Sequence, residues 1–274
     1  MREMTIGKYY SVDSVIHRLD PRVKLVVTFI YVISLLFMRN IYMYAAAFAV
    51  LLVYVKISKV KWSYIIKGTK GIMAFLVFTV ILQMFTVKGA DIIFKWRFIS
   101  ITRTGIYSAL FLLIRLILII TGSSMMTYTT TPTALTDGLE RLLSWMKKLG
   151  IPVHEIAMIM SIALRFIPVL TGELDRIMKA QTARGVDFNE GNIIKRVKKL
   201  LPIIVPLFVS AIRRSNDLAL AMDARCYHGE EGRTKMKPLQ YDRNDYIVYI
   251  LLVVYLVVLI ILKRLLHLGI LSGI

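Results

Sequence analysis

Acidic residues are scarce in this chain, and cysteine is almost absent. Its 274 residues include 17 Asp and Glu against 36 Lys and Arg, a formal net charge of +19. The single cysteine, Cys226, excludes a disulfide framework and any Cys-x-x-Cys metal site. The four histidines, His17, His154, His228 and His267, are scattered, without a His-Glu-x-x-His run or other ligand spacing. No Gly-x-x-x-x-Gly-Lys-Ser/Thr segment occurs, so no loop is built to cradle a nucleotide phosphate, and ATP hydrolysis by the chain alone is not expected. Ser210 and Ser215 lack the flanking glycines of a nucleophile elbow. These absences leave no catalytic, cofactor-binding or metal site to nominate, and the expectation is a non-catalytic protein.

What is abundant is apolar: 57% of the residues are hydrophobic, an integral-membrane composition. Apolar runs cover residues 23–38, 41–57, 72–87, 105–126 and 246–262. Each approaches the ~20 residues that cross ~30 Å of hydrocarbon, the first three only with help from their flanks or a thinner bilayer. Residues 1–20 have no apolar core ahead of a cleavage site, so the first run is expected to direct insertion. The basic residues punctuate these runs, which is the pattern of membrane topology and argues against a nucleic-acid partner. Residues 131–245 hold 18 of the 36 Lys and Arg and are expected in the cytoplasm. Counting back through four spans puts the N-terminus inside as well, and the C-terminus outside. Lys88, Lys95, Arg97 and Arg103 in an outer loop, and Lys263 and Arg264 after the last span, are mild exceptions.

The expected fold is therefore an all-α integral membrane protein with about five transmembrane helices and long cytoplasmic or interfacial coupling helices. Its parts are a transmembrane domain over residues 1–131, a cytoplasmic coupling domain over 132–240 and a final spanning helix in 241–274. Within the coupling domain, Thr133 to Lys148 carries acids early, Lys147 and Lys148 late, and ends at Gly150, which predicts one helix. A second helix starts at Pro152 and stops at Gly185. A loop with Asp187, Asn189 and Gly191 leads to a third, which Pro202 and Pro206 should kink. Residues 156–170 and 200–212 are apolar, but the first is flanked by His154 and Glu155 and holds Arg165 and Pro168. The second is too short to span. Both are expected to lie at the cytoplasmic face, with apolar sides toward lipid or a membrane partner. In the fourth span stands Arg115. No acidic residue lies in any predicted span, so it is expected to be structural, snorkelling or paired with backbone. Asp20-Pro21-Arg22 reads either as a helix N-cap with Pro at N1 or as a contact site.

The strongest local signal is a repeat. Ala180-Gln181-Thr182-Ala183-Arg184 is followed by Gly185, and Ala221-Met222-Asp223-Ala224-Arg225 by Cys226, 41 residues on. Each Arg is expected at a helix C-terminus, where the macrodipole favours a cation. The alanines one and four residues earlier share a helical face and admit close approach of another surface. Two small faces tipped with a guanidinium fork suit docking into carboxylate- or carbonyl-lined grooves of a soluble partner.

Ala183-Arg184-Gly185, with its echo Ala224-Arg225-Cys226, resembles the transmembrane T component of energy-coupling factor (ECF) transporters. Three further stretches fit that family in order. They are residues 17–25 (His-Arg-Leu-Asp-Pro-Arg-Val-Lys-Leu), 135–140 (Leu-Thr-Asp-Gly-Leu-Glu) and 163–168 (Ala-Leu-Arg-Phe-Ile-Pro). One departure is Cys226, where the family often has Gly. The resemblance implies a scaffold in a prokaryotic cell membrane that joins two cytoplasmic ABC-type ATPase subunits to a substrate-binding membrane S component. It implies uptake of vitamins or transition-metal ions, bound by S. Ala183, Arg184, Gly185, Ala224, Arg225 and Cys226 would dock the ATPases. The apolar faces at Leu207, Phe208, Ile156 and Met160 are the candidate S contacts. The alternatives are a self-sufficient secondary transporter, which usually needs intramembrane carboxylates, and a small membrane enzyme, which needs clustered catalytic residues. Neither feature is visible, and the sequence does not name the substrate.

Overall fold

A computed structural model describes residues 9–38, 40–87, 92–96, 99–188, 192–227, 229 and 238–267. Lys88, Arg97, Asn189, Gly191 and His228, which bear on the expected topology, loops and ligands, lie outside the described residues. The chain forms two compact units: Met1–Leu139 with Leu239–Ile274, and Glu140–Pro238. The C-terminal helix thus belongs with the first helices.

The first unit runs α1 (Val15–Arg18), α2 (Pro21–Leu36), α3 (Ile41–Ser58), α4 (Trp62–Thr86), a hairpin of β1 (Ile92–Trp96) and β2 (Ile99–Thr102), α5 (Arg103–Thr129), most of α6 (Pro132–Leu142), and α9 (Arg243–His267). The architecture is that of an all-α integral membrane protein, and the antiparallel hairpin, with Trp96 opposite Ile99, is its one departure among the described residues. Residues 92–102 are rich in β-branched and aromatic types, which suit a ladder better than a helical turn. α4 begins ten residues before the apolar run at 72–87, because Lys67 and Lys70 interrupt hydropathy without interrupting helix.

Among the described residues, five helices are long and apolar enough to cross a membrane: α3, α4, α5, α9 and, in the second unit, α7 (Val153–Ala183). The apolar runs of the sequence point to α2 instead of α7. With 16 residues α2 rises only about 24 Å, whereas α7 has 31 residues.

Tyr31, Leu35, Tyr44, Leu51, Val55, Leu118, Met125 and Tyr255 form one buried core from α2, α3, α5 and α9. Gly122 lets α5 approach α2, since a Cβ there would stand 2.8 Å from the Tyr31 ring. Ser34 and Tyr255 share a hydroxyl hydrogen bond of 2.8 Å, which ties α2 to α9.

Charged groups lock the start of this bundle. Asp20 is the N-cap of α2: its carboxylate accepts from the Arg22 backbone N–H at 2.8 Å, and Pro21 follows at N1. The N-cap reading of Asp20-Pro21-Arg22 is what the geometry bears out. The same carboxylate pairs with the Arg22 guanidinium at 2.7 Å, and that guanidinium lies 4.0 Å from the centre of the Tyr241 ring. Asp245, 1% exposed, does two things. Three residues into α9, one oxygen reaches back to the Asp242 N–H at 2.8 Å, half of a capping box. Its other oxygen accepts from the Asp20 N–H at 2.9 Å, 225 positions away. Lys24, only 5% exposed, donates at 3.0 Å to the carbonyls of His17 and of Thr129, the last residue of α5. A lysine that reads in the sequence as one more topological charge is thus a buried helix-end cap. Beside it, Gly138 of α6 packs on Pro21 and Leu25, where an added Cβ would stand 3.0 Å from Pro21.

Asp245→Ala leaves the buried Asp20 N–H and the part-buried Asp242 N–H without their acceptor, which predicts a loss of about 1–3 kcal/mol. Thermal unfolding of the purified variant in detergent should show a clearly lowered midpoint, and Asp245→Asn a smaller drop. An unchanged midpoint for the alanine variant would mean that this tie does not hold α9.

Candidate docking site

The second unit is built on α7 and α8 (Ile193–Asp223). The helix expected from Thr133 to Lys148 is broken instead: α6 ends at Leu142, and Ser144–Leu149 form a 3-10 turn closed by Gly150 at φ 80°. His154, in the first turn of α7, holds Glu140 at 3.0 Å and so pins α7 across that turn. α8 stays helical through Pro202 and Pro206, as α7 does through Pro168.

α7 and α8 run antiparallel. The Lys199 ammonium donates to the Asp187 carbonyl, Arg214 pairs with Glu173 at 3.0 Å, and the Tyr227 hydroxyl donates to the Met158 sulfur at 3.0 Å. As one partner number rises the other falls, which is the register of a helical hairpin.

The two copies of the repeat end these helices in the same way. The Gly185 N–H donates to Thr182 O at 2.9 Å and the Val186 N–H to Gln181 O at 3.1 Å. The Cys226 N–H donates to Asp223 O at 2.9 Å and the Tyr227 N–H to Met222 O at 3.1 Å. Both are Schellman closures, with Arg184 and Arg225 at the equivalent cap position. Gly185 and Cys226 occupy the left-handed region, at φ 87° and 55°. Cys226 therefore adopts the left-handed conformation that glycine takes at 185, against the steric preference of its Cβ. Ala183, Arg184, Gly185, Ala224, Arg225 and Cys226 are all exposed.

Sequence separation suggests two equivalent plugs, and the antiparallel register adds where they sit. Arg225 lies level with about position 160 of α7, because Tyr227 meets Met158. Arg184 is therefore some two dozen residues further along the same helix pair, roughly 35 Å at 1.5 Å per residue. Along this stretch and just past the Arg225 end, the pair carries apolar side chains that no described residue covers. Ile156 is 50% exposed, Met160 49% and Phe208 65%, and Leu207 is half-buried. Leu201, Ile204, Val205 and Ile212 are exposed beside Phe208, at helical spacing. The most apolar stretch of α7 is nowhere buried within the chain.

Among the described residues, no group of three or more His, Cys, Asp and Glu could hold a metal ion. What sequence reasoning missed lies in the first unit. Asp245 stands in no motif, and the 17–25 stretch that includes Lys24 does not show that its ammonium caps distant backbone carbonyls.

The chain thus combines a polytopic helical membrane unit with a long helix pair that has matched arginine-capped ends and bare apolar flanks. A family model described as cobalt transport protein (CbiQ) matches residues 13–236. The energy-coupling factor transporter transmembrane protein EcfT of Clostridium kluyveri is 46% identical over 90% of this chain and 92% of its own. The proteins of the same name from Ruminiclostridium cellulolyticum and Bacillus subtilis are 45% and 43% identical, each over 96% of this chain and 98% and 99% of their own. The chain belongs to this family of energy-coupling factor transporter transmembrane components.

The shared closure predicts opposite responses at two equivalent positions. Cys226→Gly relieves a left-handed non-glycine residue and should raise stability by about 1 kcal/mol, whereas Gly185→Val adds a β-branched residue there and should cost at least as much. Thermal unfolding of both variants checks this. A destabilised Cys226→Gly would show that the thiol makes a contact worth more than the strain.

Proposed function

We propose that the chain is the scaffold of an ECF-type importer, coupling ATP hydrolysis by two cytoplasmic ATPase subunits to movement of a substrate-binding S component. The observation that carries this reading is the pair of identical arginine-capped helix ends, exposed and roughly 35 Å apart on one helix pair. Each guanidinium fork, set on a face of small alanines, enters a groove on a separate ATPase and makes planar, multi-donor contacts there. The bare apolar side of α7 and α8 lies at the cytoplasmic face of the membrane and receives S. When the ATPases close on ATP, the two docking points shift, and the antiparallel pair carries that shift to S as one body. The transported solute, a vitamin or a transition-metal ion, is held by S, so the scaffold needs no solute site. The N-terminus and the helix pair are cytoplasmic in this reading, and the C-terminus is outside.

Removing one guanidinium takes a central anchor from one interface, a loss of about 2–4 kcal/mol or roughly 30- to 1000-fold in affinity. A single Arg184→Ala or Arg225→Ala should weaken ATPase capture while the other end still tethers the complex. The double variant should lose capture and uptake together, and lysine should restore little because it lacks the fork. Pull-down of the ATPases beside solute uptake measures both, and wild-type behaviour of the double alanine variant would refute the docking.

Phe208→Asp should release S from the complex while the ATPases stay bound. Retention of S by a Phe208→Asp, Met160→Asp double variant would move the S contact off this helix pair.

A further inference from the structure

Among the described residues, no carboxylate balances the charge in the middle of α5. Arg115 stands 12 residues into a 27-residue apolar helix, and α2, α3, α4 and α5 contain no acidic residue. No ion pair to Arg115 forms among the described residues. Its Nε–H donates to the Tyr44 hydroxyl at 2.9 Å, and Nη2 donates to the Met38 carbonyl at 2.9 Å, just past the end of α2. The Tyr44 hydroxyl donates to the same carbonyl at 3.1 Å. Arg115 is thus backbone-paired, a cation at the C-terminal end of α2 where the helix dipole favours it. A guanidinium has five N–H donors, and these bonds use only two.

The rest of the guanidinium lines a cavity of about 200 Å³ with Met38, Tyr44, Gln83, Ser108 and Phe111. The amide of Gln83 and the hydroxyl of Ser108 make no hydrogen bond to another described residue, so the cavity holds spare donors beside an uncompensated cation. Through Ser108 and Phe111 it adjoins a second hollow of about 430 Å³, lined also by Arg103, Thr104 and Tyr107. Positions 103, 107, 111 and 115 share one face of α5, so the two hollows follow that face from Arg115 to the start of the helix.

Helix length sets what can reach Arg115. α2 and α3, of 16 and 18 residues, rise about 24 and 27 Å and meet in the turn at 37–40, at the level of Arg115. α5 continues about 18 Å past that level. Against ~30 Å of hydrocarbon, a pair this short favours local thinning of the bilayer, which would bring lipid headgroups down to the turn. A phosphate there meets the free guanidinium donors, the Gln83 amide and the Ser108 hydroxyl, and its polar headgroup can extend along α5 toward Arg103.

We propose that Arg115, Gln83 and Ser108 form a binding site for the phosphodiester of an anionic phospholipid, which supplies the counter-charge that no described residue provides. The assignment is independent of ATPase and S docking. Native mass spectrometry of the full chain, released from nanodiscs of mixed phosphatidylglycerol and phosphatidylcholine, should show one retained phosphatidylglycerol. Arg115→Met should reduce its retention roughly tenfold or more. Because Arg115 also caps α2, Ser108→Leu provides a second variant: it fills the cavity and leaves both Arg115 hydrogen bonds in place, and it should lose the lipid too. Calorimetry on delipidated protein separates the sources of phosphate. Short-chain phosphatidylglycerol should bind, and inorganic phosphate should bind at least tenfold more weakly. Equal retention by wild type and Ser108→Leu would overturn the proposal. Inorganic phosphate binding as tightly as the lipid would overturn it as well, assigning the site to a free anion.

Discussion

A backbone carbonyl or N–H left bare away from water costs several kcal/mol, and in a membrane protein only the chain itself can satisfy it. That constraint governs the helix ends of this molecule. α2 begins on Asp20 and ends under Arg115; α5 ends on Lys24; α9 begins on Asp245, whose second oxygen holds the start of α2. The charged residues that look out of place in apolar sequence are the ones that close these ends. Each is buried or half-buried and each has a backbone partner, so the charges fix where the helices stop and how they meet, rather than adding attraction between exposed groups.

The second unit obeys the same rule by another route. α7 and α8 close on their own carbonyls through two Schellman turns, which places a left-handed residue at the end of each. Glycine accepts this conformation without strain at position 185, whereas Cys226 accepts it against its Cβ. The closure has a further effect. It fixes the last helical residue, and so fixes where the following arginine stands relative to the helix axis. Because the helices are antiparallel, the two arginines are carried to opposite ends of one helix pair. A lever of that length, with apolar flanks between its ends, fits the coupling role proposed for it.

Much of this was legible in the sequence, for physical reasons. The apolar runs that became α3, α5 and α9 were visible because hydrocarbon demands them. The ends at Gly185 and Cys226 were visible because the left-handed turn after a helix has a short local signature. The extent of α4 was not, since Lys67 and Lys70 break an apolar run but leave a helix intact. Composition showed apolar character in both α2 and α7, but it did not show that one is a 16-residue helix and the other a 31-residue one. The hairpin of β1 and β2 follows from a pairing that hydropathy does not report. Asp245 escaped notice because its main partner lies 225 residues earlier. At the candidate docking site, the repeat marked the six residues, but only the pairing of α7 with α8 set the distance between its two copies.

Simultaneous engagement of two different ATPase subunits by the two arginine-capped ends is the central claim. A photo-crosslinking amino acid placed at position 183 and another at 224, in the assembled transporter, tests it most directly. The account predicts a product containing one copy of this chain joined to two ATPase subunits, with each single-site variant capturing one. Capture of the same single subunit from both positions, or of the S component in place of an ATPase, would contradict it.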